Sequence, residues 1–445
     1  MKLVLRQTPY LHLLSLLLFA GGLTQIAHAA EPGKRIAAFD SAKPLVAQSG
    51  DAANELRKLL AAIRLPSGFT IELFALVPNA RTMAVAPSGR AVFVGTRRDT
   101  LWLVLDRSDR SAAASKLEVR SFAASMPWNA PHGLCWAADG GLIVAQLNRV
   151  SRFAPSDWLA LAAGANTSVE FSDIVAAGTL IPPAYETTFH GSRTCRIGPD
   201  GKLYLYVGQP HNVPPRDRLD EYARIGMGTI VRMDPRNGAG REVYARGIRN
   251  SVGMSFNPAN GQLWFTDNQT DNMGDDIPPG ELNRVTAAGQ HFGYPWLGGR
   301  SVRIREQGYD KDELPPALVA PEIEWDAHAA DLGRMFYTGS QFPARYRGGI
   351  FSAQHGSWNR RSPIGARIMF TSLKKDGSAE RTEVFAEGWL GRPGKPYWGR
   401  PVDVAMMPDG SLLVSDDHAG AIYSIRQTQS ISNLNTRIYS IRIFG

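Results

Sequence analysis

An apolar strand, a tight turn ending in glycine and a second strand recur along this chain, and nothing else in it narrows the fold so far. The unit reads MAVAPSGRAVFVG (Met83–Gly95), GLCWAADGGLIVAQ (Gly133–Gln146), CRIGPDGKLYLYVG (Cys195–Gly208), GMSFNPANGQLWFTD (Gly253–Asp267) and VAMMPDGSLLVSDD (Val404–Asp417). The turn glycines are Gly89, Gly140, Gly201, Gly261 and Gly410; a tight hairpin turn demands the positive φ that glycine supplies without steric cost. They follow one another at about fifty to sixty residues, except for a gap of roughly 150 between Gly261 and Gly410. A degenerate unit, Tyr346–Gly349 followed by the strand Ile350–Gln354, fits inside that gap. Six such units predict an all-β chain, a six-bladed β-propeller, because radial closure removes the sheet edges that a linear array would expose. A sandwich or two separate β domains is the competing arrangement. The segment 269–345 is too long for a blade connection and is expected to be one large excursion, of the kind that usually carries function. Phe69–Ala75 alternates as a strand does and precedes the first full repeat. It is expected to close the ring as the outer strand of the last blade.

The repeat sets the boundaries. Residues 1–29 carry a secretory signal pattern: Lys2 and Arg6, an apolar run from Leu11 to Leu23, and Ala27-His28-Ala29 as cleavage site. The apolar run is shorter than the ~20 residues of a spanning helix, so an exported protein is expected, periplasmic or secreted, with no integral membrane span. Residues 30–64 form a leader with a short helix over Asp51–Ile63, 65–426 the propeller, and 427–445 a tail of no assigned role. Removing the signal lowers the formal net charge from +8 to +6. The basic residues are dispersed and do not alternate with aromatics, which argues against nucleic acid; the charge favours anionic small molecules or surfaces. Cys135 and Cys195 either form one disulfide or are two small buried apolar groups.

Polar motifs gather at one end of the repeat units. Arg249-Asn250 precedes the fourth unit and Asp267-Asn268 ends it, so the hairpin brings Arg249, Asp267 and Asn268 together. Trp128-Asn129-Ala130-Pro131-His132-Gly133 precedes the second unit and Phe189-His190-Gly191-Ser192-Arg193 the third; Gln354-His355-Gly356-Ser357-Trp358-Asn359-Arg360 follows the fifth, and Trp398-Gly399-Arg400-Pro401 precedes the sixth. In a propeller these loops converge on the central channel. A neutral imidazole is a usable base near pH 7, and an arginine opposite it can steady developing negative charge. The plainer reading is a structural ion pair at Arg249 and histidines that satisfy buried backbone groups. No His-Glu-x-x-His, no Gly-x-Ser-x-Gly and no Gly-x-Gly-x-x-Gly before a helix is present, which excludes zincin, hydrolase-elbow and Rossmann sites.

Together His190-Gly-Ser-Arg, GPDGKLYLYVG, ARGIRNSVGMSFNPANGQLWFTDN, ELN…GQHFGYPW and GRPVDVAMMPDGSLLVSDD resemble the glucose/sorbosone dehydrogenases, and QHGSWNR points to the sorbosone-type branch. The resemblance runs from about Leu65 to Arg426. It implies a six-bladed propeller that oxidises a sugar or sugar aldehyde with pyrroloquinoline quinone (PQQ) and calcium, passing electrons to an external acceptor. His190 then matches the catalytic base, Arg249 and Asn250 the pair against the quinone, and Asn268 a polar cofactor contact. Asp275 or Asp276 matches a carboxylate supporting the histidine. Arg400 matches one of two cofactor-binding arginines; the second position is Val402 here. A fifth-blade lysine is missing, with His355 and Arg360 as substitutes, and Gln269, Thr270 and Asp271 are the candidate calcium ligands. The rivals are a calcium-dependent propeller hydrolase or lactonase and a non-catalytic ligand-binding propeller.

Overall fold

The second strand of each repeat explains the fold. Ala91–Val94, Leu142–Gln146, Leu203–Val207, Leu263–Asp267, Ile350–Gln354 and Leu412–Asp416 are buried at every residue. A strand wedged between neighbouring sheets is apolar on both faces and reads as a continuous hydrophobic run. The computed structural model describes residues 35–38, 45–108, 117–156, 158, 168–391 and 397–428; the signal pattern and the tail beyond 428 lie outside them. Six antiparallel sheets form the six-bladed propeller. Blade 1 holds the strands from Met83–Val85 to Leu117–Ser121, blade 2 those from Gly133–Trp136 to Ser168–Val175, and blade 3 those from Cys195–Ile197 to Glu242–Arg246. Blade 4 begins at Met254–Phe256 and ends at Ile323–Trp325, blade 5 runs from Asp331–Phe336 to Ala379–Glu387, and blade 6 begins at Pro401–Met406. Among the described residues no helix is long and apolar enough to cross a membrane.

The glycine turns share one plan, with small differences in length. In the first, Gly89 N–H donates to Ala86 O and Ala86 N–H to Ala91 O, both at 2.8 Å; Gly140, Gly201 and Gly410 likewise donate three residues back, and Gly261 donates four back, to Asn257 O. Their glycines sit at φ between 70° and 86°. Asp139, Asp200 and Asp409 each accept the N–H two residues on, which fixes the turn before the glycine.

Blade 6 draws on both ends of the repeat region. Phe69–Leu76 pairs antiparallel with Ala421–Gln427, with Phe69 opposite Gln427, as the outermost strand. Phe69 also meets Phe342, Phe385 and Tyr346 edge-on, with centroids 4.8, 5.2 and 5.6 Å away. The helix Asp51–Leu60 packs Leu56 and Leu60 into the same cluster.

One expectation changes. The segment 269–345 is not one excursion: it supplies two outer strands of blade 4, Gly280–Val285 and Ile323–Trp325, and the inner strand of blade 5. Between them Gln290–His291 adds a parallel fifth strand to blade 3. The leader also joins the ring, since Arg35–Ala38 pairs with the outer strand of blade 2. Of the two readings of Cys135 and Cys195, the first holds: they form a disulfide between the inner strands of blades 2 and 3.

Candidate active site

Polar residues at the ends of the second strands organise one end of the axis. Gln146 Oε1 accepts the Asn129 N–H at 2.8 Å, Asp267 accepts those of Arg249 and Asn250 at 3.0 and 2.7 Å, and Asp416 accepts those of His418 and Ala419 at 3.0 and 2.8 Å. Each buried side chain thus ties a loop that sheet pairing leaves unsatisfied. The loops enclose a cavity of about 220 Å³, lined among others by His190, Arg249, Asn250, Asn268, Gln269, Asp271 and His355.

His190 is buried, with its ring stacked on Phe189 at 4.1 Å. Nδ1 lies 3.0 Å from the Gln209 carbonyl. A carbonyl only accepts, so Nδ1 carries the proton and Nε2 keeps its lone pair. Burial, then the Arg249 guanidinium, holds the imidazole pKa well below its ordinary value. The backbone here is left-handed, at φ 51°, a conformation that a non-glycine residue keeps only under constraint. Arg193 provides part of it by donating to the His190 carbonyl at 3.1 Å. Gly208 provides the rest, because a Cβ there would lie 2.2 Å from the same oxygen. The His-Gly-Ser-Arg string is therefore a device for aiming one ring. His132, its counterpart before blade 2, is fully buried against Thr82 Oγ1 at 3.2 Å and does not line the cavity.

Arg249 is 3% exposed at its side chain. Its Nε donates to Asn212 O (3.1 Å), Nη1 to Asn268 O (3.0 Å), and Nη2 to Asn212 Oδ1 (2.7 Å) and Asp271 Oδ2 (2.8 Å). A guanidinium held by four bonds presents its charge without moving. Beneath it Asp267 and Glu281 are both fully buried, and Gln269 Nε2 donates to both, at 3.2 and 2.9 Å. Burial pushes Asp267 up to about 7 and Glu281 well above the usual carboxylate range, the latter further raised by Asp267.

The other expected residues divide. The carboxylate expected behind His190 is not Asp276, whose side chain is 90% exposed and faces Arg360 at 3.5 Å; a backbone carbonyl takes that place. Arg360 does not line the cavity but donates to Asp275 O and Ala327 O at 2.6 and 3.1 Å, tying down the loop. Arg400 also stands behind the wall, donating to the His355 carbonyl at 3.0 Å and to that of Gly356. His355 lines the cavity and its Nε2 meets Asp417 Oδ1 at 2.7 Å. Thr270 is buried and lies outside the lining. Val402 packs with Val252 and Leu332, which form part of the cavity wall.

Sequence reasoning missed Arg81, Arg97, His328 and Asp331 in this lining. Asp331 begins the inner strand of blade 5, near the place that Arg249-Asn250 holds before blade 4, and that offset was the available signal. Its Oδ1 accepts Gln354 Nε2 at 2.7 Å, and burial raises its pKa to about 7. Asn250 Oδ1, Gln269 Oε1, Asp331 Oδ2 and Asn359 Oδ1 are buried oxygens of lining residues with no protein partner. Buried acceptors of this kind are normally satisfied, and a cluster of neutral and acidic oxygens suits a hard cation. Among the described residues no three His, Cys, Asp or Glu side chains gather as a metal cage.

A six-bladed propeller with a buried histidine, a fixed guanidinium and orphaned oxygens at one mouth of its axis defines a class of axial-site propellers. Within that class, residues 160–361 match the family described as Glucose / Sorbosone dehydrogenase, and the resemblance drawn from the motifs is thereby shown. An uncharacterized protein of Borreliella burgdorferi is 34% identical over 247 residues, 55% of this chain and 62% of that protein. Aldose sugar dehydrogenase YliI of Escherichia coli is 25% identical over 249 residues, 51% of this chain and 57% of that protein. Both matches therefore span less than two thirds of the relative's own length. In fold, the chain is similar to the holo form of the pyranose dehydrogenase PQQ domain from Coprinopsis cinerea. That likeness has a TM-score of 0.63 at 18% identity and covers 87% of this chain and 99% of that one. The calcium structure of a Trichoderma reesei family AA12 protein has a TM-score of 0.63 at 20% identity, covering 82% and 97%.

Proposed function

We propose that this protein is an exported quinoprotein dehydrogenase that oxidises a sugar or sugar aldehyde of the aldose or sorbosone type and passes the electrons to an external acceptor. The observation that carries the reading is the juxtaposition, in one cavity, of His190 with Nε2 unprotonated and Arg249 with its charge fixed. The names borne by the E. coli relative and the C. cinerea neighbour support it. PQQ, when bound, supplies the two-electron acceptor for hydride leaving the sugar carbon. The chain's own part is to take the hydroxyl proton on His190 Nε2, to hold negative charge beside Arg249, and to orient the sugar. Phe189 and Trp358, 43% and 70% exposed at the cavity, offer apolar faces to a sugar ring.

The lining suits both cofactors. Arg249 and Asn250 would meet the quinone, with Asn268 and His355 as polar neighbours. Arg400 and Arg360 would act on that site through the loops they hold. Gln269, whose buried Oε1 has no protein partner, would be the first calcium ligand, with Thr270 and Asp271 beside it in the chain. Asp271 already serves Arg249 and Asn359, so its carboxylate is the weakest of the three candidates. A disulfide is the ordinary accompaniment of an oxidising compartment and supports export.

The test is to incubate purified protein with PQQ and calcium and to follow cofactor absorbance and dye-linked oxidation of aldoses. The expected result is saturable PQQ binding that is lost with EGTA, together with sugar-dependent dye reduction. Activity independent of PQQ, or cofactor affinity untouched by EGTA, overturns the cofactor or the metal assignment respectively.

A further inference from the structure

Beside His190 the cavity continues into a second hollow of about 320 Å³, lined by Asn79, Arg81, Arg97, Arg98, Thr188 and Asp417. Arg81, Arg97 and Thr188 line both spaces. The connection runs past the proposed base, since Arg97 Nη2 donates to the Thr188 carbonyl at 2.5 Å, two residues before His190. Three guanidinium groups thus face one carboxylate. That carboxylate is already shared, because Asp417 Oδ2 pairs with Arg81 Nη1 and Oδ1 with His355 Nε2. The hollow is left with a surplus of positive charge: Arg81 is 4% exposed and held by its ion pair, whereas Arg97 and Arg98 stand open at the mouth.

Planar forks of N–H donors at the wall of a water-accessible hollow are the usual receptor for carboxylate or phosphate. Neutral sugars need no such surplus. Resting on the dehydrogenase reading above, we propose that Arg97 and Arg98, with Arg81 behind them, form a subsite for an anionic group on the substrate. The preferred substrate is then an acidic sugar, a sugar carboxylate or phosphate, whose reacting hydroxyl lies at His190 while its anion occupies the side hollow.

The test uses protein loaded with PQQ and calcium and compares D-glucuronate, D-glucose 6-phosphate and D-glucose by dye-linked kcat/KM. The shift in Tm produced by D-glucuronate and by inorganic phosphate is measured in parallel, since it needs no turnover. The expected preference for an anionic over the neutral sugar is about 10- to 100-fold, the worth of one charge-assisted contact. The two anionic sugars distinguish carboxylate from phosphate as its source. In R97Q/R98Q the preference collapses and the Tm shift disappears; R98Q alone, at an exposed position, keeps the test valid if the double variant does not fold. A preference for D-glucose that the variants leave unchanged overturns the proposal. So does a tenfold loss of PQQ affinity in R97Q/R98Q with the anion preference intact, which would give these arginines to the cofactor. If no sugar is oxidised but the anions still raise Tm in an Arg97-dependent way, the dehydrogenase reading falls and the anion subsite stands.

Discussion

His190 owes its proposed role to three neighbours that do no chemistry: the Gln209 carbonyl sets its tautomer, Arg193 holds its backbone, and Gly208 leaves room for it. His190→Ala should lower the maximal rate by ~10²–10⁴, the usual worth of a positioned general base, with PQQ affinity little changed. Because its pKa is depressed, the ring is neutral at pH 6.5, and the acid limb of the rate profile should lie below that value. The limb should vanish in the variant. His132→Ala is the control and should leave the rate within a few-fold; equal damage from both substitutions, in folded and loaded protein, defeats the assignment. Arg249→Ala should weaken PQQ binding as well as rate, measured by cofactor titration, and should also destabilise the fold by removing the partner of Asp271. A large rate loss with unchanged PQQ affinity would exclude contact between Arg249 and the cofactor. These two residues were legible in sequence because each sits in a short motif before a strand. Asp331, His328 and Arg81 were not, since only the closed ring brings the loops of blades 1, 4 and 5 to one mouth. Asp276 was misplaced for the converse reason: nearness in sequence to Asn268 does not turn a side chain on an exposed loop inward.

The hairpin Met254–Phe256 to Leu263–Asp267 and its neighbour Gly280–Val285 carry the site on a pair of buried acids. Asp267 and Glu281 sit opposite one another across the two strands. Folded pKa values above the unfolded ones mean that folding takes up protons, so this pair contributes most below about pH 4, where both acids are protonated in either state. The contribution is lost as pH rises through the raised folded values, Asp267 near 7 and Glu281 beyond the usual range. Glu281→Gln removes one of the two acids and should flatten the fall in Tm between pH 5 and pH 8. A steeper fall in the variant would show that the pair does not share its charge in this way. At this scale the sequence was most informative where burial is complete, in the six second strands. It was silent on Arg35–Ala38 and Gln290–His291, short edge strands whose pairing depends on where another blade's edge lies. The 269–345 stretch was misjudged because strands such as Ile323–Trp325, with only Trp325 fully buried, lack the apolar run that marks an inner strand.

Across the whole molecule, closure rests on hydrogen bonds between Phe69–Leu76 and Ala421–Gln427 and on the aromatic contacts of Phe69. Removing residues through Ala75 should abolish cooperative unfolding or lower Tm far more than a surface substitution, because a row of ladder groups loses its partners. Unchanged melting of the truncated protein would refute closure by this strand. The Cys135–Cys195 bond ties blades 2 and 3 across a sequence separation of 60. The entropy of closing a loop of that size suggests a contribution of about 4 kcal/mol, so melting under reducing conditions should occur at lower temperature, and identical melting would show the bond to be thermodynamically idle. The ring itself was readable from glycine spacing; the disulfide was not, because spacing alone cannot say that two strands are adjacent. The shared blade has a further consequence during synthesis. Phe69–Leu76 leaves the ribosome long before its partner exists, so a nascent chain can build blades in order but cannot lock them. A chain that stops just before Ala421 holds all six inner strands and has nothing with which to join its ends. The closing strand therefore acts as a checkpoint on completeness, separating full-length chains from truncated ones by topology alone.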